Sequence, residues 1–121
     1  MHIQHEPHML HSIQAYDANQ VRINGVNYTR SLLANNTHIN AEWPVYSRAD
    51  FNAQCLDDIL SMQPEIILIG AKFMLPCEWL AMSAQKGVGI ECMQIGAACR
   101  TFNILLGEHR SVVLGLILEP V

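Results

Sequence analysis

The chain has 121 residues and a formal net charge of −4; half of its residues are hydrophobic and 15% are charged. That length fits one domain, which can bury roughly two-thirds of its unfolded surface and needs neither metal nor disulfide to hold together. The seven basic residues are scattered, with no run able to track a phosphate backbone or an anionic lipid surface, so the composition argues against nucleic acid and membrane headgroups as partners.

The N-terminal ten residues, MHIQHEPHML, have no apolar region of the signal-peptide kind. Residues 1–10 are expected to form a flexible tail and residues 11–121 a single domain. His2, His5, His8 and His11 recur every third residue and would line one face of a helix. Pro7 breaks such a helix, so only adventitious metal binding is expected. Even the most apolar stretch, Val112–Leu118, falls well short of the roughly eighteen residues a membrane helix needs. The expectation is a cytoplasmic protein without membrane insertion.

The first half reads as β structure. Ser12–Tyr16 is a short strand candidate. Val21–Ile23 and Val26–Tyr28 flank Asn24-Gly25, a pair suited to a tight hairpin. Ser31–Ala34 and Thr37–Ala41 follow, separated by Asn35-Asn36, and Trp43-Pro44 marks a strand end or edge.

The second half alternates. Phe51–Met62 places Phe51, Cys55, Leu56, Ile59 and Leu60 at helical spacing, with Asp50 as the expected N-cap and Pro64 beyond its end. Glu65–Gly70 is an almost unbroken apolar run, the pattern of a strand covered on both faces. Pro76–Gln85 is a helix ending at Lys86-Gly87, and Val88–Met93 a further strand. Ala97–Leu106 is expected to be a helix stopped by Gly107. The alternative, a hairpin of Asn103–Leu106 with Val112–Leu118, is disfavoured by the helix propensity of Ala97-Ala98. Val112–Leu118 is the last buried strand. Short strands followed by α-β-α-β-α-β predict an α/β fold with a mostly parallel central sheet, the early hairpins forming an extra layer or antiparallel edge strands.

Cys55, Cys77, Cys92 and Cys99 lack the close pairing of a structural zinc site and are expected to stay reduced. Cys99 beside Arg100 could have a lowered thiol pKa, but no base is placed beside it by the sequence, so a buried, inert thiol is expected. No catalytic motif is present. Ligands of open α/β sheets bind beyond the carboxyl ends of the strands. Two loops qualify, Gly70–Pro76 and Gln94–Arg100. Gly70 and Gly96 would let backbone approach a ligand, Lys72 and Arg100 would add positive charge, and Asn103 would stand by on the same helix. This candidate site for a small acidic group competes with the plainer reading of turn glycines and solvated cations.

Three strings carry a resemblance: Val21–Tyr28 (VRINGVNY), Pro64–Gly70 (PEIILIG), and above all Gly89–Met93 with Gly96–Leu105 (GAACRTFNIL). From about His11 to Leu118 the chain resembles the Mth-nine-three-eight-like domain family, a domain of unknown function numbered four-nine-eight. The resemblance implies a three-layer α/β fold around a mixed five-stranded sheet, with the early strands as a partial extra layer. Its eukaryotic relatives include a mitochondrial respiratory complex I assembly factor and an adipogenesis-associated protein. It implies no catalytic residues. The chain departs from the family at Gly70-Ala71-Lys72, where G-T-G or G-S-G is common, and at Gln94-Ile95-Gly96, where Thr or Ser often precedes the alanines. The expectation is therefore a non-catalytic binding or assembly module with a protein partner or a homo-oligomeric state, and no cofactor or metal. The alternative is a small acidic-ligand-binding protein or enzyme using the loops after residues 65–70 and 88–93.

Overall fold

The computed structural model describes residues 12–118. The expected tail of residues 1–10, and the histidine series from His2 to His11, lie outside the described residues.

Ile13–Tyr16 (β1), Val21–Ile23 (β2) and Val26–Tyr28 (β3) pair antiparallel in that order as a small separate sheet. Asn24 and Gly25 take φ values of 53° and 78°. Those are the two left-handed positions that a tight hairpin of right-twisting strands requires. Leu32–Ala34 (β4) and Ile39–Asn40 (β5) form the next hairpin. Its turn is closed by Asn35, whose Oδ1 accepts from the Thr37 and His38 N–H groups at 2.9 and 2.7 Å.

A short 3-10 turn, Arg48–Asp50, leads into α1, Ala53–Leu60. The N-cap of α1 is Asn52, not the expected Asp50. Asn52 is extended (φ −151°) and its Oδ1 accepts from the Cys55 N–H at 3.0 Å. The Asp50 carboxylate is spent on the preceding turn, accepting from the N–H groups of Tyr46 and Ser47. Phe51 stays outside the helix, its ring edge-on between Trp43 and Trp79.

The chain then alternates Ile66–Gly70 (β6), Cys77–Gln85 (α2), Gly89–Met93 (β7), Ile95–Gly107 (α3) and Val112–Leu116 (β8). The central sheet has the order β5-β4-β8-β6-β7. β8 runs parallel to β6 and β6 parallel to β7, so the three apolar runs of the second half share one sheet. The β4–β5 hairpin adds antiparallel against β8, which makes the sheet mixed. Residues 103–106 are helical, and α3 begins two residues earlier than expected. Its left-handed closing residue is His109 (φ 59°) rather than Gly107, which lies within the last turn.

Each face of the sheet is covered. On one, Ala98, Cys99, Phe102 and Leu106 of α3 meet Leu68, Leu114 and Leu116, and the small sheet adds Ile13, Val21 and Ile23. On the other, Leu56 and Ile59 of α1, Trp79 of α2, and Trp43 and Val45 meet Ile67, Ile69 and Val113. The result is a three-layer α/β domain with an extra three-stranded layer beside α3.

α3 comes close to the sheet at Gly70. A Cβ there would lie 2.7 Å from Leu116 Cδ2, 2.9 Å from Ala98 Cβ and 3.2 Å from the Ile95 Cα. We predict that Gly70→Ala lowers unfolding stability by about 1–3 kcal/mol through overpacking. Gly89→Ala, whose Cβ would meet no atom within 4 Å, should stay within about 0.5 kcal/mol. Urea melts of the two variants test the difference.

Candidate functional site

β6 and β7 end together, with Gly70 opposite Met93. Their pairing continues one step further, where the Ala71 N–H donates to the Met93 carbonyl at 3.0 Å. Beyond this point lies a cleft of about 440 Å³. The loop after β6 supplies Ala71 and Lys72, the start of α3 supplies Gln94, Ile95 and Gly96, and the end of β1 supplies Tyr16, Asp17 and Ala18. A second depression of about 240 Å³ adjoins it, sharing Ala71, Lys72 and Gln94 and adding Phe73, Met74, Cys92 and Met93.

Of the five residues singled out in the sequence, Lys72 and Gly96 line the cleft. Gly70, Arg100 and Asn103 do not, and each has a different task. Gly70 lies where α3 presses on the sheet. Arg100 Nη1 donates to Tyr16 Oη at 2.6 Å, and its guanidinium carbon lies 6.0 Å from the Tyr16 ring centroid. Asn103 clasps the main chain of Ile13: its Oδ1 accepts from the Ile13 N–H at 2.8 Å, and its Nδ2 donates to the Ile13 carbonyl at 3.0 Å. Arg100 and Asn103 therefore hold the wall that contains Tyr16. Gly96, in the first turn of α3, does the same by omission. A Cβ there would lie 2.8 Å from Tyr16 Cε1.

The Tyr16–Ala18 wall was not anticipated. The residues that meet there are 84 apart in the chain, and no local pattern announces such a pairing. Gly96 signals it only once its place in the first turn of α3 is known, where a side chain would otherwise be favoured.

The electrostatics are mixed. Lys72 and the first turn of α3 bring positive potential, and Gln94 at the N-cap makes no side-chain bond to that turn. Asp17 brings a carboxylate. The Asn19 N–H, followed by the Gln20 amides, holds its pKa below the ordinary value. Cys99 is fully buried, and desolvation pushes its thiol up to about 12 despite the neighbouring Arg100 charge. It is a packing residue, as expected. All four cysteines are free thiols. Among the described residues, no group of three His, Cys, Asp or Glu is placed to hold a metal ion, and no helix is long and apolar enough to cross a membrane.

Two measurements test these assignments. Asn103→Ala strands the Ile13 amide and carbonyl and should cost about 1–3 kcal/mol of stability in urea melts. Arg100→Ala, at an exposed contact, should cost about 1 kcal/mol or less. In a thiol titration at pH 8, exposed Cys77 should react first and half-buried Cys92 more slowly. Cys55 and Cys99 should react only on unfolding. Prompt labelling of Cys99 in the folded protein would contradict its assignment.

Similar proteins place this arrangement. A Xanthomonas campestris structure is 28% identical, with a TM-score of 0.83 over 95% of this chain and 89% of that one. A Bordetella pertussis structure described as an Mth938-like domain is 24% identical, with a TM-score of 0.79 over 99% and 92%. It shares the fold. A Francisella tularensis protein named "13 kDa major membrane protein" is 40% identical over 60 residues, which are 47% of this chain and 49% of that one. A Xenopus tropicalis protein named "NADH dehydrogenase (ubiquinone) 1 alpha subcomplex assembly factor 3" is 35% identical over 81 residues, 63% of this chain and 44% of that one. The chain thus spans about half the length of the curated relatives it matches. Residues 13–117 match the family model as well as the fold, and the chain belongs to the family described as "Protein of unknown function (DUF498/DUF598)".

Proposed function

We propose that the chain is a protein-binding module of the assembly type, and that the cleft and its adjoining depression dock a short segment of a partner. The observation that carries this reading is the continuity of the two hollows. They share Ala71, Lys72 and Gln94, and both are open hollows rather than closed pockets. Each hollow is lined by a large side chain left in water: Tyr16 is 40% exposed and Met74 68% exposed. Methionine adapts its shape to a partner, and an exposed aromatic gives contact area at small entropic cost. Lys72 and Asp17 add a polar pair that could orient the segment. The assembly-factor relative supports the same class of activity.

A second reading has its own observation: Lys72 and the first turn of α3 open on one cleft, as a small carboxylate ligand would need. Under that reading, a panel of small carboxylic acids raises the melting temperature, Lys72→Ala abolishes the rise, and Arg100→Ala leaves it intact.

The protein-binding reading is tested by a photo-reactive benzophenone side chain placed in cells at Met74, at Tyr16, or at Val26, which is exposed on the small sheet. We expect a discrete adduct from positions 74 and 16, none from 26, and its loss on adding Lys72→Glu. An adduct of twice the chain mass would identify the partner as a second copy. No adduct at position 74, or the same adducts at position 26, would remove the proposal.

A further inference from the structure

The two edges of the central sheet differ. β5 is two residues long and begins at the side-chain-bonded turn of Asn35. β7 is five residues long and is paired on one side alone. Its hydrogen-bonding direction follows from the Met93 carbonyl, which accepts from Ala71 on the β6 side. In a strand, backbone groups alternate sides, so Gly89, Glu91 and Met93 address β6. Ile90 and Cys92 therefore turn their N–H and C=O groups outward. Among the described residues, no backbone group bonds to them from that side. The flanking side chains form a half-buried apolar margin: Ile90 and Cys92 toward the α2 face, Met93 toward the α3 face beside Thr101. Natural edges of this length are usually shortened, bulged or covered.

We propose that the outer edge of β7 is a strand-addition site for an extended segment of a second protein carrying a basic side chain opposite Glu91. This rests on the protein-binding reading above and names the kind of partner. Main-chain pairing at Ile90 and Cys92 supplies affinity, and cross-strand side chains supply choice. Glu91 is exposed at the centre of the edge. It decides against self-pairing: the antiparallel register that uses all five residues sets Glu91 against Glu91 of the second copy. Directly opposed like charges destabilise a strand pair, and a Lys or Arg there stabilises it. The fitting segment alternates apolar residues with a cation. It continues naturally into the depression that Cys92 and Met93 line.

The test uses the whole chain and two fluorescent peptides of eight residues, one alternating valine with lysine, the other valine with glutamate. In the free protein, the amides of Ile90 and Cys92 should exchange quickly with solvent. The lysine peptide should bind, slow exchange at those two amides, and bind at least tenfold tighter than the glutamate peptide. Glu91→Lys should reverse that preference. The lysine peptide N-methylated on its pairing face should not bind, a control that leaves the protein's own fold untouched. The proposal is overturned if neither peptide binds, if the perturbed amides lie elsewhere, if Glu91→Lys leaves the preference unchanged, or if the two amides become protected by self-association as protein concentration rises. Benzophenone adducts at Met74 without peptide binding at β7 would remove this inference and leave the docking groove standing.

Discussion

β8 has no side that faces water. All five residues from Val112 to Leu116 are buried, and the strand sits in the middle of the sheet between β4 and β6. Val112, Leu114 and Leu116 face one layer and Val113 the other, so the fold exists only if each face is covered. α3 and the small sheet cover one, and α1, α2 and the Trp43–Val45 segment cover the other. Glycines at two places let the covers come down far enough. A Cβ at Gly115 would lie 2.9 Å from Ile69 Cδ1 and 3.0 Å from Trp43, as one at Gly70 would press on α3. Close packing of this kind tolerates little added volume.

α3 carries the consequences outward. Its buried stripe fixes its roll against the sheet, and that roll decides what its flanks meet. One flank presents Gly96, Arg100 and Asn103 to β1, and the other presents Thr101 to Met93 of β7. The Asn103 clasp is a side-chain copy of strand pairing, one donor and one acceptor matched to Ile13. It anchors the small sheet where no strand is available to do so. Tyr16 then lies over Gly96 as a wall. The cleft is thus a by-product of three packing decisions on one helix.

The elements were legible because their signals are local. The alternation of apolar runs and helical spacings in residues 51–118, and Asn24-Gly25, each speak over a few residues. Where two neighbouring residues carry the same signal, locality fails. Asp50 and Asn52 are both good caps, and the choice between them is settled by the 3-10 turn that takes up the Asp50 carboxylate. Gly96 resembled a turn glycine but sits in the helix, since its missing side chain serves Tyr16 rather than the backbone. The candidate site was half legible for the same reason. The carboxyl ends of β6 and β7 follow from strand order, which placed Lys72 and Gly96. The third wall depends on how a distant hairpin lands on α3, and Arg100 and Asn103 were read as ligand groups when they are the fastenings of that hairpin.

The position of β7 at the sheet edge follows from the same arithmetic. Each added strand must bury its side chains under a helical layer, and the layers end at α2 and α3. β7 is the edge strand, and its residues are exposed or only half-buried. Glu91 is what that boundary permits: a charge in an apolar run, on the face where cover runs out. A charge there disfavours the pairing of identical edges. It also leaves the backbone of Ile90 and Cys92 available to a strand of opposite sign, and places that strand beside the groove in which Met74 already stands in water.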